Sequence, residues 1–138
     1  MDLLLVPLVV AIILVGVMLL VAFTRKGSVA TVAMTSRRIV LHSAAPSGVV
    51  YSWITQYCPA GYSVVDADPA RGIVLLSSRP TALTWGFFYP VFVYSEGTGT
   101  RVDLGIKSKV FQYGPLVARD HRKLAHALAA LTQSQVEN

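Results

Sequence analysis

The amino-acid sequence predicts an α+β protein: one N-terminal transmembrane helix, followed by a small two-layer domain of antiparallel sheet with two helices. Three observations predict this class. Residues 3–23 form an apolar run that carries no charge. Beyond this run, short segments rich in Val, Ile and aromatic residues are separated by turn residues, which is typical of antiparallel strands. Two further segments repeat their apolar residues at helical spacing, and helices gathered on one side of a sheet form two layers.

The apolar run has the length of a membrane-spanning helix. As a helix, residues 3–23 extend about 31 Å at about 1.5 Å per residue, and a hydrocarbon core is about 30 Å thick. A cleaved signal peptide is the competing interpretation. Such peptides have a basic start, a shorter apolar stretch and a small-x-small cleavage site, and all three features are missing around this run. We therefore expect residues 1–24 to be a retained single-pass anchor.

Basic residues follow the predicted anchor but do not precede it. Arg25 and Lys26 come directly after it, and Arg37 and Arg38 lie a little further on. The positive-inside rule then places the N-terminus outside and the C-terminal domain in the cytoplasm, at the cell (plasma) membrane. Arg25 and Lys26 are expected to contact anionic lipid headgroups. The single cysteine, Cys58, excludes an intramolecular disulfide and fits a reducing compartment.

The excess of basic residues has two interpretations. Lys plus Arg outnumber Asp plus Glu by 12 to 7, which gives a formal net charge of +5. A basic domain can bind nucleic acid, but the chain contains no nucleic-acid-binding motif. A domain held beside anionic headgroups explains the same charge, so no nucleic-acid partner is predicted.

The chain divides into four parts by composition. Residues 1–24 are the anchor, residues 25–29 a linker with Gly27 and Ser28 at its centre, residues 30–133 the cytoplasmic α+β domain, and residues 134–138 a polar tail. Neither a low-complexity segment nor a repeat at solenoid spacing interrupts the domain.

The first strand and first helix of the domain are predicted from residues 31–58. Residues 31–43 are rich in β-branched residues and predict a strand, in one or two pieces. Ser43 or Ser47 can cap the following helix, and Pro46 suits its first turn. The helix ends at Cys58 because a proline follows. Its apolar face consists of Val49, Val50, Trp53, Ile54 and Tyr57.

Four more strands and a closing helix complete the domain. The strands are predicted at residues 62–65, 73–78, 83–94 and 101–109, with turn residues in each gap. The first of these turns contains two aspartates, which suit a turn better than a calcium loop because the further ligands are missing. The closing helix begins at Gly114 and the proline after it. Its apolar side consists of Leu116, Val117, Leu124, Leu128 and Leu131.

Aromatic side chains stand out in the third of these four strands. They occur at Trp85, Phe87, Phe88 and Tyr89, and again at Phe92 and Tyr94. Successive residues of a strand face opposite sides, so both faces are aromatic here. One face belongs to the core. The other is either covered by the first helix or exposed as a partner contact at Trp85, Phe87, Phe88 and Tyr89. A proline within this strand, Pro90, predicts an edge position or a bulge.

No catalytic, cofactor or metal site is predicted. Three histidines, His42, His121 and His126, are spread along the chain, and metal ligation needs three or four convergent groups. Cys58 lies at a helix end and is expected to be a small buried residue. Sequence signatures of a nucleophile elbow or a phosphate-binding loop are missing. The chain is therefore not expected to be an enzyme.

The order of elements resembles the helix-grip family, that is, the START and polyketide-cyclase-like folds. Residues 43–54 are similar to the family's first strand and first helix, residues 97–102 to its common hairpin, and residues 124–131 to its closing helix. The resemblance covers about residues 35–133. It implies a curved antiparallel sheet wrapped around a long C-terminal helix, and a domain that binds a lipid or another hydrophobic ligand.

The layout of the whole chain resembles a second group, the accessory subunits of actinobacterial respiratory supercomplexes that join cytochrome bcc to cytochrome c oxidase. The shared features are one spanning helix, a small cytoplasmic α+β domain and a composition rich in Ala, Val, Gly and Arg. This resemblance implies a non-catalytic subunit of the electron-transport chain whose partner is an integral membrane complex. It is the leading functional prediction, and a membrane-tethered lipid-binding domain is the alternative.

Overall fold

The structure, a computed structural model, describes residues 5–25, 27–28, 33–110 and 114–137. Helix α1 (Leu5–Thr24) forms from the apolar run. It is long and apolar enough to cross a membrane, and only 6% of its most apolar window is buried inside the molecule. It is therefore not a core helix of the domain. The helical pattern closes at Arg25, whose amide donates to the carbonyl of Val21 at 2.9 Å.

The domain elements follow in the predicted order. Six antiparallel strands form a path β2-β3-β4-β5-β1-β7, and a seventh short strand, β6, pairs with β4. The elements are β1 (Arg38–Ser43), α2 (Ser47–Gln56), β2 (Tyr62–Asp68), β3 (Ile73–Ser78), β4 (Phe87–Glu96), β5 (Gly99–Gly105), β6 (Lys107–Ser108), α3 (Pro115–Thr132) and β7 (Ser134–Val136).

The core lies between one face of the sheet, here called the inner face, and helices α2 and α3. Alternate residues of the strands point into it because side chains of a strand alternate between faces. The fully buried members include Leu41, Val50, Ile54, Val74, Leu76, Phe87, Val91, Val102, Leu104, Leu124 and Leu128. This arrangement confirms the α+β class, with both domain helices on one side of an antiparallel sheet.

The opposite side of the sheet, here called the outer face, carries a second and smaller apolar cluster. Ile73, Leu75 and Phe88 are buried there, and Phe92 packs against them. The cover is the described part of the segment that joins α1 to β1, residues 25, 27–28 and 33–36, which we call the connecting segment. A Cβ atom placed on Gly27 would lie 2.5 Å from Leu75 Cδ2, so the connecting segment lies directly on this cluster.

The start of α2 differs from the prediction. Pro46 is the N-cap residue, and no side chain caps the helix. The hydroxyl of Ser43 instead donates to the carbonyl of Thr132 at 2.8 Å, and Ser47 hydrogen-bonds Ser95 at 2.8 Å. Both serines therefore serve tertiary contacts, and the Pro46 carbonyl accepts the first helical bonds through backbone geometry alone.

Strand boundaries also differ from the predictions. β4 begins at Phe87 rather than at residue 83, and the strand predicted at residues 101–109 is divided into β5 and β6. β1 begins only at Arg38, and the described residues before it are not in a strand. β2 runs on to Asp68 with a register shift between Val64 and Asp66, so the two aspartates of the predicted turn lie within a bulged strand and the turn is shorter. Propensity does not specify these boundaries, because strand pairing is set by the neighbouring strand.

Pro90 lies in a central strand, which corrects the predicted edge or bulge. β4 pairs with β3 on one side, and on the other with β5 as far as Val91 and with β6 from Phe88. β4 pairs with β5 and with β6 in the same register, so no extra residue is inserted between the two pairings. The ladder is interrupted opposite Pro90, where the missing N–H cannot donate.

The predicted polar tail contributes a strand. Gln133 adopts a left-handed conformation with φ of 52° and ends α3, so the chain turns back along the sheet. Ser134–Val136 then pairs with residues 41–43 of β1. This strand is polar and lies at the sheet edge, so hydrophobic alternation does not reveal it.

Candidate functional site

A cavity opens on the outer face, beside the end of α1. We call it the outer cavity, and its volume is about 580 Å³. Its wall combines an apolar floor with a polar and cationic rim. The lining residues are Arg25, Gly27, Ser28, Ala33, Thr35, Ser36, Leu75, Phe88, Pro90 and Lys107.

The first part of the connecting segment is bonded to the sheet. The guanidinium of Arg25 donates through Nη1 to the carbonyl of Lys109 at 2.5 Å, and the hydroxyl of Ser28 donates to Asp66 Oδ2 at 3.3 Å. Between these two contacts, Gly27 lies against Leu75 and Phe88, where a side chain would collide with both. The exit of α1 is thus attached to the domain from its first residue onward.

The second part of the connecting segment is held by Thr35. Its hydroxyl accepts the amide N–H of Ile106 at 3.2 Å and donates to the carbonyl of Arg37 at 2.7 Å. The approach is possible because residue 105 is glycine: a Cβ there would lie 2.7 Å from Thr35 Oγ1 and 2.9 Å from Pro90 Cγ. Gly105 therefore allows the wall of the outer cavity to form.

Two lysines that lie two positions apart in the sequence have different environments. Lys107 is exposed on the rim of the outer cavity. Lys109 is buried, donates through Nζ to the carbonyl of Ser78 at 2.7 Å and lies 5.1 Å from the centre of the Phe88 ring. Burial lowers the pKa of Lys109 because the charged form is poorly solvated there. The apolar floor thus has the buried Lys109 beside it, and Lys107 and Arg25 at its rim.

The inner side of the fold is filled. Large side chains, among them Tyr89, Phe87, Leu76 and Leu124, are fully buried between the sheet and α3. A smaller cavity of about 340 Å³ opens at the edge of this core, between β2, β3 and the first half of α3. The rings of Tyr62 and Tyr89 meet edge to face there, 5.6 Å apart. Burial raises the pKa of both tyrosines, so both remain protonated near neutral pH.

His42 joins two carboxylates on the outer face near the end of the sheet. Its Nε2 lies 3.0 Å from Glu137 Oε2, and its Nδ1 lies 3.2 Å from Glu96 Oε2. The hydrogen bond with Glu137 raises the pKa of His42. The imidazole is exposed rather than half-buried, and it links β7 to the β4–β5 hairpin.

Apart from His42 and its two carboxylates, the described side chains with catalytic or ligating potential lie at separate places. His121 is buried and donates through Nε2 to the carbonyl of Leu104 at 2.7 Å, while His126 is exposed on α3. Cys58 is partly buried, and burial raises the pKa of its thiol, which makes it a poor nucleophile. Within the described ranges, no group of three or more His, Cys, Asp or Glu residues is placed to hold a metal ion.

The predicted site residues fall at separate places. Arg25 lines the outer cavity, and Lys26 lies outside the described residues. Phe87 and Tyr89 are part of the inner core, and Phe88 is buried in the outer cluster under Gly27. The aromatic run therefore packs on both faces at Phe87, Phe88 and Tyr89, which is the covered alternative, with the connecting segment rather than the first helix over Phe88. Trp85, before the strand, is partly buried.

Sequence reasoning missed Lys107, Thr35 and Gly105 as parts of a site. Lys107 falls within the strand predicted at residues 101–109, and Thr35 falls within the strand predicted at residues 31–43, so neither stood out as part of a site. The one local signal was Gly27 in the linker, since glycine marks positions of close backbone approach as well as turns.

Comparisons with known proteins support the fold and nothing finer. No protein-family model matches the chain, and no curated protein matches it. Among solved structures, Ara h 8.0201, which has the Bet v 1-like helix-grip fold, is similar with a TM-score of 0.55 and 7% sequence identity. The match covers 70% of this chain and 93% of that chain. The domain therefore has a helix-grip fold, and the predicted resemblance to that fold is confirmed.

Proposed function

We propose that this chain is a non-catalytic accessory subunit of an integral membrane complex, which α1 joins within the membrane and the helix-grip domain braces from the cytoplasmic side. The observation that carries this proposal is the attachment at the exit of α1. Arg25 is bonded to Lys109, and Gly27 lies on Leu75 and Phe88. A domain held this way has a restricted position relative to its helix, which suits bracing better than loose tethering.

The surface of α1 supports a partner within the membrane. Its side chains are nearly all exposed, and none of the described ones is charged. Nothing lies within 4 Å of a Cβ built at Gly16, so a second helix can approach closely at this position. The same length and composition occur in signal sequences, but a cleaved helix would not need an exit bonded into the domain.

The finer form of the proposal is a subunit of an actinobacterial respiratory supercomplex of cytochrome bcc and cytochrome c oxidase. It rests on the layout of one apolar helix and one small domain. The partly buried Cys58, whose thiol has a raised pKa, and the lack of a metal-binding group of side chains among the described residues support a role without catalysis. The basic residues after α1 support a cytoplasmic domain, and protease protection of a C-terminal tag in sealed vesicles tests that orientation.

Affinity purification of the full chain in mild detergent tests the proposal. We expect membrane proteins to co-purify in fixed stoichiometry. Gly16→Leu should reduce their recovery by blocking close helix approach, and Val15→Leu, which enlarges the neighbouring side chain, serves as the matched control. Haem spectra of the purified material would identify a respiratory partner. A chain that is extracted from membranes but always runs alone would contradict the accessory role.

A second candidate is a membrane-tethered domain that binds a lipid or another hydrophobic ligand. The 580 Å³ outer cavity favours it, because its floor is apolar and its volume lies within the range of about 300–1,000 Å³ of small-ligand sites. The filled space between the sheet and α3 does not favour a ligand there. Native mass spectrometry of the full chain would separate the two candidates, since retained lipid without protein partners supports the second.

A further inference from the structure

We propose that the outer cavity binds one anionic phospholipid of the membrane that α1 enters, with the lipid phosphate at Arg25 and Lys107 and the glycerol region on Leu75 and Phe88. This site lies on the opposite side of the sheet from the space between the sheet and α3. The inference rests on the proposed membrane anchoring but not on any protein partner.

The position of the cavity follows from the end of α1. Thr24 is the last helical residue, and Arg25, the next residue, already lines the cavity. If α1 spans the hydrocarbon core, the residue after its end lies among the headgroups. The Arg25–Lys109 and Gly27–Leu75 contacts hold the cavity mouth beside that position. The ligand with the highest local concentration at this place is the headgroup of a phospholipid.

The rim has the chemistry that binds a phosphate. Arg25 uses one donor on the Lys109 carbonyl, and a guanidinium has five, so others remain to bind an anion. Lys107 is an exposed ammonium on the same rim, and the hydroxyl of Ser36 also lines it. Two cations and a hydroxyl around one space favour a monoanionic or dianionic group over a zwitterionic one.

The charges around the rim indicate which end of the outer cavity an anion would occupy. Asp66 accepts a hydrogen bond from the lining residue Ser28, so a carboxylate lies beside that end of the cavity. The ammonium of Lys109, 5.1 Å from the centre of the Phe88 ring, places another basic group beside the floor. The phosphate therefore belongs near Lys107 and Arg25, away from Ser28.

The apolar floor of the outer cavity offers contacts that a free phosphate ion cannot make. Leu75, Phe88 and Pro90 form an apolar base below the cationic rim. An amphiphile fits both parts, because its phosphate reaches the rim while its glycerol and first methylenes contact the floor. The acyl chains remain in the bilayer, since the volume of about 580 Å³ suits a headgroup rather than a whole lipid.

Lipid retention by the full chain tests this site. The chain is placed in nanodiscs of equal parts phosphatidylcholine and phosphatidylglycerol, released into detergent and measured by native mass spectrometry. We expect one phosphatidylglycerol to be retained per chain, and Lys107→Gln to reduce its retention about fivefold, as expected for one basic residue at a membrane surface. The matched control is Lys123→Gln, which removes the same charge from α3 at the smaller cavity and should leave retention unchanged.

A second variant and a competitor test the cavity itself. Ser36→Trp should fill the cavity and reduce retention without a change of charge. Short-chain phosphatidylglycerol should displace the retained lipid, whereas inorganic phosphate should not. Equal losses in Lys107→Gln and Lys123→Gln, no preference over phosphatidylcholine, or full displacement by inorganic phosphate would each overturn the proposal. Absence of the chain from membranes would instead defeat the anchor itself.

Discussion

The two faces of the sheet differ in what covers them. The inner face meets two helices, whose side chains fill the space with residues such as Ile54, Leu124 and Leu128. Within the described part of the chain, the outer face meets the connecting segment, which brings small residues such as Gly27, Ser28 and Thr35. The helices supply many large side chains and the described connecting segment supplies mostly small ones, so the 580 Å³ cavity lies on the outer face, while the smaller 340 Å³ cavity lies at the edge of the inner core. The same strands thus provide stability on one side and a candidate site on the other.

The largest expected difference is between two adjacent leucines of β3. Leu76 is fully buried in the inner core, and Leu75 lies on the outer face at the cavity. We expect Leu76→Ala to lower the free energy of unfolding by about 3–5 kcal/mol and Leu75→Ala by about 2 kcal/mol, because Leu75 already borders open space. Chemical denaturation of the full chain in detergent micelles, followed by near-ultraviolet circular dichroism, measures both. Equal losses would contradict the difference between the faces.

A smaller effect is expected at Gly105, which allows the connecting segment to approach the sheet. Gly105→Ala would place a Cβ 2.7 Å from Thr35 Oγ1 and 2.9 Å from Pro90 Cγ. Overpacking of this kind costs about 1–3 kcal/mol, and we expect faster hydrogen exchange at residues 33–36. The control is Gly48→Ala at an exposed position of α2, where nothing lies within 4 Å of a Cβ atom. This substitution should stabilise the protein by about 0.5–1 kcal/mol. Unchanged exchange in Gly105→Ala would show that this approach does not hold the segment.

The smallest expected effect is a pH dependence of stability that differs between the two faces of the sheet. Glu137 raises the pKa of His42 on the outer face, and burial lowers that of His121 on the inner side. The stability from His42 is present below pH about 6.5 and is lost as the pH rises through its raised pKa. The stability from a neutral His121 is present above pH about 6.5 and is lost as the pH falls through its lowered pKa. Ring-proton titration by NMR should find His42 above and His121 below the ordinary value, and the reverse order would contradict both environments.

His42→Gln isolates the outer-face contribution. The variant should no longer become less stable as the pH rises, because the glutamine amide does not titrate. It should still become less stable as the pH falls, because His121 is unchanged. Thermal unfolding of the full chain across this pH range provides the measurement. If the alkaline decrease persists in His42→Gln, another group causes it.

Local patterns were sufficient for most of the fold. The α1 helix, the order of strands and helices and the bounds of β3 follow from hydrophobicity and periodicity in neighbouring residues. Helix α3 begins where the glycine and proline at residues 114 and 115 indicate. Its hydrophobic side follows from spacing alone, since residues three and four apart share a face of a helix.

Other features depended on contacts that periodicity does not encode. The strand β7 has a polar sequence and exists because β1 offers an open edge. Pro90 is accepted in a central strand because the ladder is interrupted opposite it. The serines near α2 bond to distant groups instead of capping the helix, since a hydroxyl makes its bonds where the tertiary structure places a partner.

The sequence by itself determined that an apolar helix precedes a helix-grip domain and that Arg25 stands at the junction. It did not determine that Lys107 lines the same cavity as Arg25, or that Phe88 is buried beneath Gly27. Those relations join residues far apart in the chain, as the bond from Arg25 to Lys109 across 84 positions shows. Only the tertiary structure decided them, because hydrophobic spacing specifies which face a residue occupies but not which distant segment covers that face.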